Sequence, residues 1–135
     1  MDGCSGESDS EIHSIKTVLV IDDEELNVKL LTRMLTGEGF RVMGAASAKA
    51  GLELLRQKRP DVILMDIRLG GMDGLEATRW VKSNPAFVSI PVIAVSAYSA
   101  QEDRARAFQA GCSHYLTKPF GKKVLVEVVR RFTGI

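Results

Sequence analysis

Apolar residues along the chain fall into two alternating kinds of run. Five are short and nearly unbroken: 17–21 (TVLVI), 41–45 (RVMGA), 61–66 (DVILMD), 91–95 (PVIAV) and 114–117 (HYLT). Runs of this length, rich in β-branched residues, read as strands, and the most apolar of them as strands buried on both faces of a parallel sheet. Between and after them, apolar positions recur every three or four residues, the helical period. That spacing predicts helices over about 25–38, 48–58, 74–83, 101–110 and 122–132. In the first, Leu26, Leu30 and Met34 recur with Leu31 and Leu35 beside them. In the last, Val124, Leu125, Val128, Val129 and Phe132 share a face. The fourth has the weakest apolar face, with Ala105, Phe108 and small neighbours to offer the core. Trp80, on the third, reads as a half-buried packing residue.

Punctuation agrees with the periods. Gly37 and Gly39 close the first helix and Gly111 the fourth. Ser47 and Asp73 stand where side chains cap the second and third. Pro60 bars continuation of the second, and Asn84-Pro85 breaks the third. Five strands alternating with five helices predict an α/β fold: one doubly wound domain, a five-stranded parallel sheet with right-handed crossovers and helices on both faces. Residues 1–16, rich in Ser, Gly and acid, are expected to form a flexible arm ahead of a domain at 17–135.

Composition narrows the function. With 135 residues the chain can bury one real core. A formal net charge of +1 supplies no basic field for nucleic acid or for anionic lipid. No apolar run approaches the ~20 residues of a membrane span, and the acidic, polar N-terminus is not a secretory signal. Cys4 and Cys112 belong to no zinc or redox motif, so they read as free thiols of a cytoplasmic protein.

A parallel sheet places the carboxyl ends of its strands along one edge, where open α/β sheets hold their ligands. Asp22 and Asp23 follow the first strand, Asp66 ends the third, Ser96 follows the fourth and Lys118 the fifth. Carboxylates crowded at one rim raise each other's pKa unless a cation is supplied. With no His or Cys among them, hard oxygen ligands favour Mg²⁺, with Mn²⁺ as a substitute. Lys118 adds a positive charge and Ser96 a hydroxyl, both suited to a phosphoryl group. An Asp carboxylate can itself act as nucleophile. The set therefore describes phosphoryl transfer onto an aspartate. Plainer roles also exist: Asp22-Asp23 as a helix cap, Ser96 as a loop serine, Lys118 as a surface lysine, Tyr115 as a core aromatic. His13 and His114 have no partner residues and are read as inert.

Four segments, VLVIDDEELN, DVILMDIRLGGMDG, PVIAVSA and GCSHYLTKPF, resemble the signatures of response-regulator receiver domains of the CheY type, in the same order and spacing. The likeness extends over about 16–132 and is greatest to the family's single-domain regulators. It implies the flavodoxin-like strand order 2-1-3-4-5. It also implies that Asp66 is the phosphoacceptor, and that Asp22, Asp23, Asp66 and the backbone carbonyl of Arg68 hold the metal. By the same likeness Ser96 and Lys118 contact the phosphoryl group, Tyr115 moves inward on activation, and Lys118–Pro119 is a cis peptide. Two positions depart from the family pattern. Gly70 stands where Pro is usual, which should loosen the loop with Gly71, and Ser96 stands where Thr is commoner.

The implied function is that of a phosphorelay receiver charged by a histidine kinase or a histidine phosphotransfer protein. Its target protein is expected on the face of the fourth helix, fifth strand and fifth helix, with Arg104, Arg106, Lys122 and Lys123 near the rim. It is expected to act as a phosphoacceptor rather than a multiple-turnover enzyme, as a monomer or a weak phosphorylation-dependent dimer. Because the sequence stops at Ile135, just past the last helix, a stand-alone regulator is expected; a receiver excised from a hybrid histidine kinase or larger regulator is the alternative. A flavin- or nucleotide-binding module on the same fold would want a Gly/Ser/Thr loop after the first strand, where DDEE instead repels phosphate. A haloacid-dehalogenase-type phosphatase would carry D-x-D on that strand. A degenerate receiver would lack part of the acidic set.

Overall fold

The computed structural model describes residues 15–68, 73–98 and 101–134. The predicted arm up to residue 14, with Cys4 and His13, and the Gly70-Gly71 pair lie outside them. Five strands, β1 (Thr17–Ile21), β2 (Arg41–Ala45), β3 (Val62–Asp66), β4 (Val92–Ser96) and β5 (His114–Thr117), form one parallel sheet in the order β2-β1-β3-β4-β5. They alternate with α1 (Glu25–Thr36), α2 (Ala48–Gln57), α3 (Gly74–Ser83), α4 (Gln101–Ala110) and α5 (Lys122–Thr133).

Strands β1, β3 and β4 are buried throughout, as their unbroken Val/Ile/Leu runs require. Alternate side chains feed two cores. Leu19, Ile21, Ile63, Met65 and Ala94 pack with α2, α3 and α4. Val18, Val20, Leu64, Ile93 and Val95 pack with α1 and α5. The register is straight across the sheet: Ile21 pairs with Met65, Met65 with Ala94 and Ala94 with Tyr115. One step further along β1 and β3, Asp22 and Asp66 therefore emerge side by side, and Ser96 ends β4 one residue beyond the position opposite Asp66.

The helix ends follow local chemistry. Ser47 Oγ accepts from the Ala50 N–H at 3.1 Å and Asp73 Oδ1 from the Glu76 N–H at 2.8 Å, so both predicted caps form. α1 stops at Thr36, two residues early, because Gly39 takes a left-handed φ of 92° and Phe40 turns its N–H back to Leu35. Gly111, with φ 111°, ends α4. Cys112 is a free, buried thiol whose pKa burial pushes up to about 11. Trp80 is half-buried and stacks on Phe87 at 5.9 Å, with the Arg56 guanidinium 5.4 Å from its ring centroid. His114 packs its ring against Phe132 at 6.0 Å, and burial lowers its pKa.

Three helix faces differ from the expectation. In α1 the core side is Leu31 and Leu35, while Leu26 is 79% and Leu30 51% exposed. A helix turns 100° per residue, so an i, i+4 row drifts off the face that tertiary packing selects. In α4 the buried side is Asp103, Ala107 and Ala110, with Ala105 and Phe108 outside. In α5 Val126 replaces Val124 in the core. Leu35→Ala should therefore lower unfolding free energy by about 2–5 kcal/mol and Leu26→Ala by no more than about 0.5 kcal/mol, measured by urea denaturation.

Candidate functional site

The strand order reverses at β1: the chain passes from β1 to the edge strand β2 and returns to β3 on the other side. Ligands of open α/β sheets bind beyond the strand ends at such a point. Asp22 and Asp23 follow β1 there, and Asp66 is the last residue of β3. One oxygen from each of the three carboxylates lies within 4.8 Å of the others. Asp22 and Asp66 are buried and Asp23 is exposed, so the cluster opens to solvent on one side.

Backbone N–H groups position the two buried carboxylates. The Glu24 N–H donates to Asp22 Oδ1 at 2.9 Å and the Arg68 N–H to Asp66 Oδ1 at 2.9 Å. Lys118, placed just beyond β5, sends its Nζ to Asp22 Oδ2 at 3.1 Å and Asp66 Oδ2 at 3.4 Å. The Lys118–Pro119 peptide is cis. Burial pushes the Asp66 pKa up, helped by the Asp22 charge, and outweighs the Arg68 N–H and the Lys118 ammonium that pull it down. Burial opposes the Lys118 charge as well, but its hydrogen bond to Asp22 and the Asp66 charge overcome this and leave its pKa raised.

Ser96, the last residue of β4, is wholly buried and its Oγ accepts from the Tyr98 N–H at 3.0 Å, which leaves its own proton free to donate. Tyr115 points to the same side of the sheet. Its ring is buried, its hydroxyl donates to the Tyr98 carbonyl at 2.6 Å, and the Arg104 guanidinium lies 5.0 Å from its centroid. Asp22, Asp23, Asp66 and Lys118 thus meet at one rim, with Ser96 and Tyr115 beside it on the β4–β5 side.

Three contributors escaped the sequence reading. Asn27 Nδ2 donates to Asp22 Oδ2 at 3.4 Å and to Glu24 Oε1 at 2.9 Å from the first turn of α1. Its place one turn along from the DDEE run was the available signal. Gly74 lets α3 start against the end of β3: a Cβ there would stand 2.3 Å from the Asp66 carbonyl oxygen and 2.6 Å from Ile67 Cα. The Arg68 side chain reaches Asp103, thirty-five positions away, a contact with no local sign.

A family model described as the response regulator receiver domain matches residues 18–130. The chain belongs to this family. As a receiver it is similar to the polar-differentiation response regulator DivK of Brucella anthropi, 37% identical over 119 residues, which cover 88% of this chain and 97% of the relative. Among solved structures it is similar to the receiver domain of the sensor histidine kinase PA1611 from Pseudomonas aeruginosa, which has a magnesium ion coordinated in its active-site cleft. That receiver superposes with a TM-score of 0.83 at 33% identity over 90% of this chain and 99% of the other. A putative response regulator from Chloroflexus aurantiacus gives a TM-score of 0.86 at 29% identity over 90% and 99%. The receiver fold and its place in two-component signalling are thereby established, and the acidic cluster is one that could hold a metal ion. No helix among the described residues is long and apolar enough to cross a membrane.

The raised Asp66 pKa fixes the sign of a stability effect. A carboxylate whose folded pKa lies above its unfolded value of about 3.9 destabilises the fold at neutral pH, and the penalty disappears below that value. Asp66→Asn should raise the thermal midpoint at pH 7, and the difference from the parent should shrink as the pH falls through the raised Asp66 pKa and be gone below about 4.

Proposed function

We propose that Asp66 accepts a phosphoryl group from a phosphohistidine. The observation that carries this is the carboxylate itself, only 8% exposed at the end of the central strand, with one ammonium and two further carboxylates around it. An Asp66 oxygen attacks phosphorus, the phosphorus–nitrogen bond breaks, and the imidazole leaves with the bonding pair and takes up a proton. The product is a mixed anhydride on Asp66. Lys118 stands ready to neutralise charge on the transferred group, and Ser96 can donate its hydroxyl proton to one of the equatorial oxygens.

Asp22, Asp23, Asp66 and the Arg68 carbonyl would hold Mg²⁺, or Mn²⁺ in its place. The donor set is all hard oxygen, and three carboxylates face a single ammonium, so the rim keeps a negative charge that a divalent cation suits. When bound, the ion supplies charge neutralisation for the phosphoryl oxygens. The protein is then a phosphoacceptor rather than a multiple-turnover enzyme.

The donor protein, a histidine kinase or phosphotransfer protein, must bring its histidine to this rim. Beside the rim stand the exposed Leu26 and Leu30 of α1 and a mostly apolar groove of about 150 Å³, lined by Leu30, Leu31, Met34, Pro119 and Phe120 together with Asn27 and Lys118 of the rim. We assign the donor's contact to this face. Output is assigned to the α4–β5–α5 face. Arg104 lies against Tyr115, and the exposed Phe108 follows one turn later on the same face. Val124 is exposed on the stripe of α5 that leads to Phe132, which touches His114 of β5. Coverage of nearly all of DivK supports a regulator acting alone through protein contact. The likeness to the PA1611 receiver favours, as second reading, a receiver within a hybrid kinase.

Acetyl phosphate should label the protein in Mg²⁺ and fail to do so in excess chelator or in Asp66→Asn; labelling of Asp66→Asn would refute the assignment. Leu30→Asp should slow transfer from the protein donor by about tenfold or more while leaving labelling by acetyl phosphate unchanged.

A further inference from the structure

The Arg68 side chain has no part in the reaction as described, which uses only its main chain. Its guanidinium lies over the Tyr98 ring, 4.1 Å from the centroid, and its Nη2 is 3.5 Å from Asp103 Oδ1 on α4. Both are weak holds. The Arg68 side chain is 54% exposed, the ion pair is long, and Asp103 also faces Arg106 Nη1 at 3.8 Å. A pair this long, with its arginine half exposed, contributes little. The Arg68 backbone nitrogen, by contrast, sits 2.9 Å from Asp66 Oδ1. A phosphoryl group on Asp66 would bring close to two negative charges within the span of an arginine side chain whose planar fork matches phosphate oxygens.

We propose that Arg68 is a second cationic arm for the phosphoryl group, parked on Tyr98 and Asp103 until that group arrives. The inference rests on Asp66 being the phosphoacceptor. When the guanidinium swings over, it leaves the ring of a residue whose main chain holds both Ser96 Oγ, through its N–H, and the Tyr115 hydroxyl, through its carbonyl. It also leaves a carboxylate on the inner face of α4. The charge on Asp66 is thus reported to α4 by loss of a contact, alongside any movement of Ser96.

Calorimetric titration of the full chain with beryllofluoride in Mg²⁺, a stable stand-in for the phosphoryl group, tests this. Arg68→Ala should weaken binding by about tenfold and Arg68→Lys should restore part of the loss. Asp103→Asn should tighten binding by about threefold, because it frees the arm, and should have no effect in the Arg68→Ala background. Parent-like binding by Arg68→Ala, or an Asp103→Asn effect of equal size in both backgrounds, would overturn the proposal while leaving Asp66 as acceptor. Failure of the parent chain itself to bind beryllofluoride would overturn the acceptor reading and this proposal with it. Hydrogen exchange of β1 and β3 amides checks that each variant is folded, and Arg68→Lys and Asp103→Asn keep the test decisive should Arg68→Ala unfold.

Discussion

Two buried carboxylates and a third at the surface, held within 4.8 Å of one another, are the condition under which the rest of this molecule is arranged. Like charges this close are tolerated only where a counter-charge and hydrogen-bond donors are fixed in place. Two backbone N–H groups and the Lys118 ammonium meet that requirement, and each comes from a different segment: the start of α1, the turn after β3 and the turn after β5. The sheet order is what makes the meeting geometrically possible. Gly74 lets α3 close against the same strand end without a side chain between them.

Lys118 contacts both buried carboxylates directly. An interaction already formed cannot supply much of the free energy that shifts a conformational equilibrium, since only differential contacts do so. In the proposed reaction its contribution falls instead on the rate of transfer, where a fixed charge needs no rearrangement as the transition state forms. Among the described residues Ser96 Oγ accepts a hydrogen bond and donates none, so in the proposed reaction its contact to the phosphoryl group would be a new one. Tyr115 stands inward, its ring buried and its hydroxyl on the Tyr98 carbonyl.

Much of this was legible in the sequence because the decisive features are local. The strand runs, Ser47 and Asp73 as caps, Gly111 as a stop, and the polar residue at each strand end all follow from short-range pattern; boundaries shifted by a residue or two, as at β4, which begins at Val92 rather than Pro91. What could not be read was set by packing across the chain. The row Leu26–Leu30–Met34 is as periodic as the row that is buried, and only the orientation of α1 on the sheet chooses between them. Phe108 looked like the core residue of α4 because it is the largest apolar group there, yet the space beneath the helix admits alanine. The bond from Arg68 to Asp103 joins the turn after β3 to α4, which sequence places far apart, and Asp103 would ordinarily be assigned to solvent.

That alanine face has a mechanical meaning. α4 rests on the sheet through Ala107 and Ala110, with Asp103 as the third buried position. A helix seated on large interlocking side chains resists displacement, because each knob must leave its hole and open a void. A helix seated on methyl groups presents a nearly smooth underside. It can slide or rotate by a fraction of a turn with little change in contact area and no empty volume left behind. Among the five helices, α4 is therefore built as a low-friction part: cheap to move in either direction, and dependent on polar tethers, rather than on shape, to define where it stops.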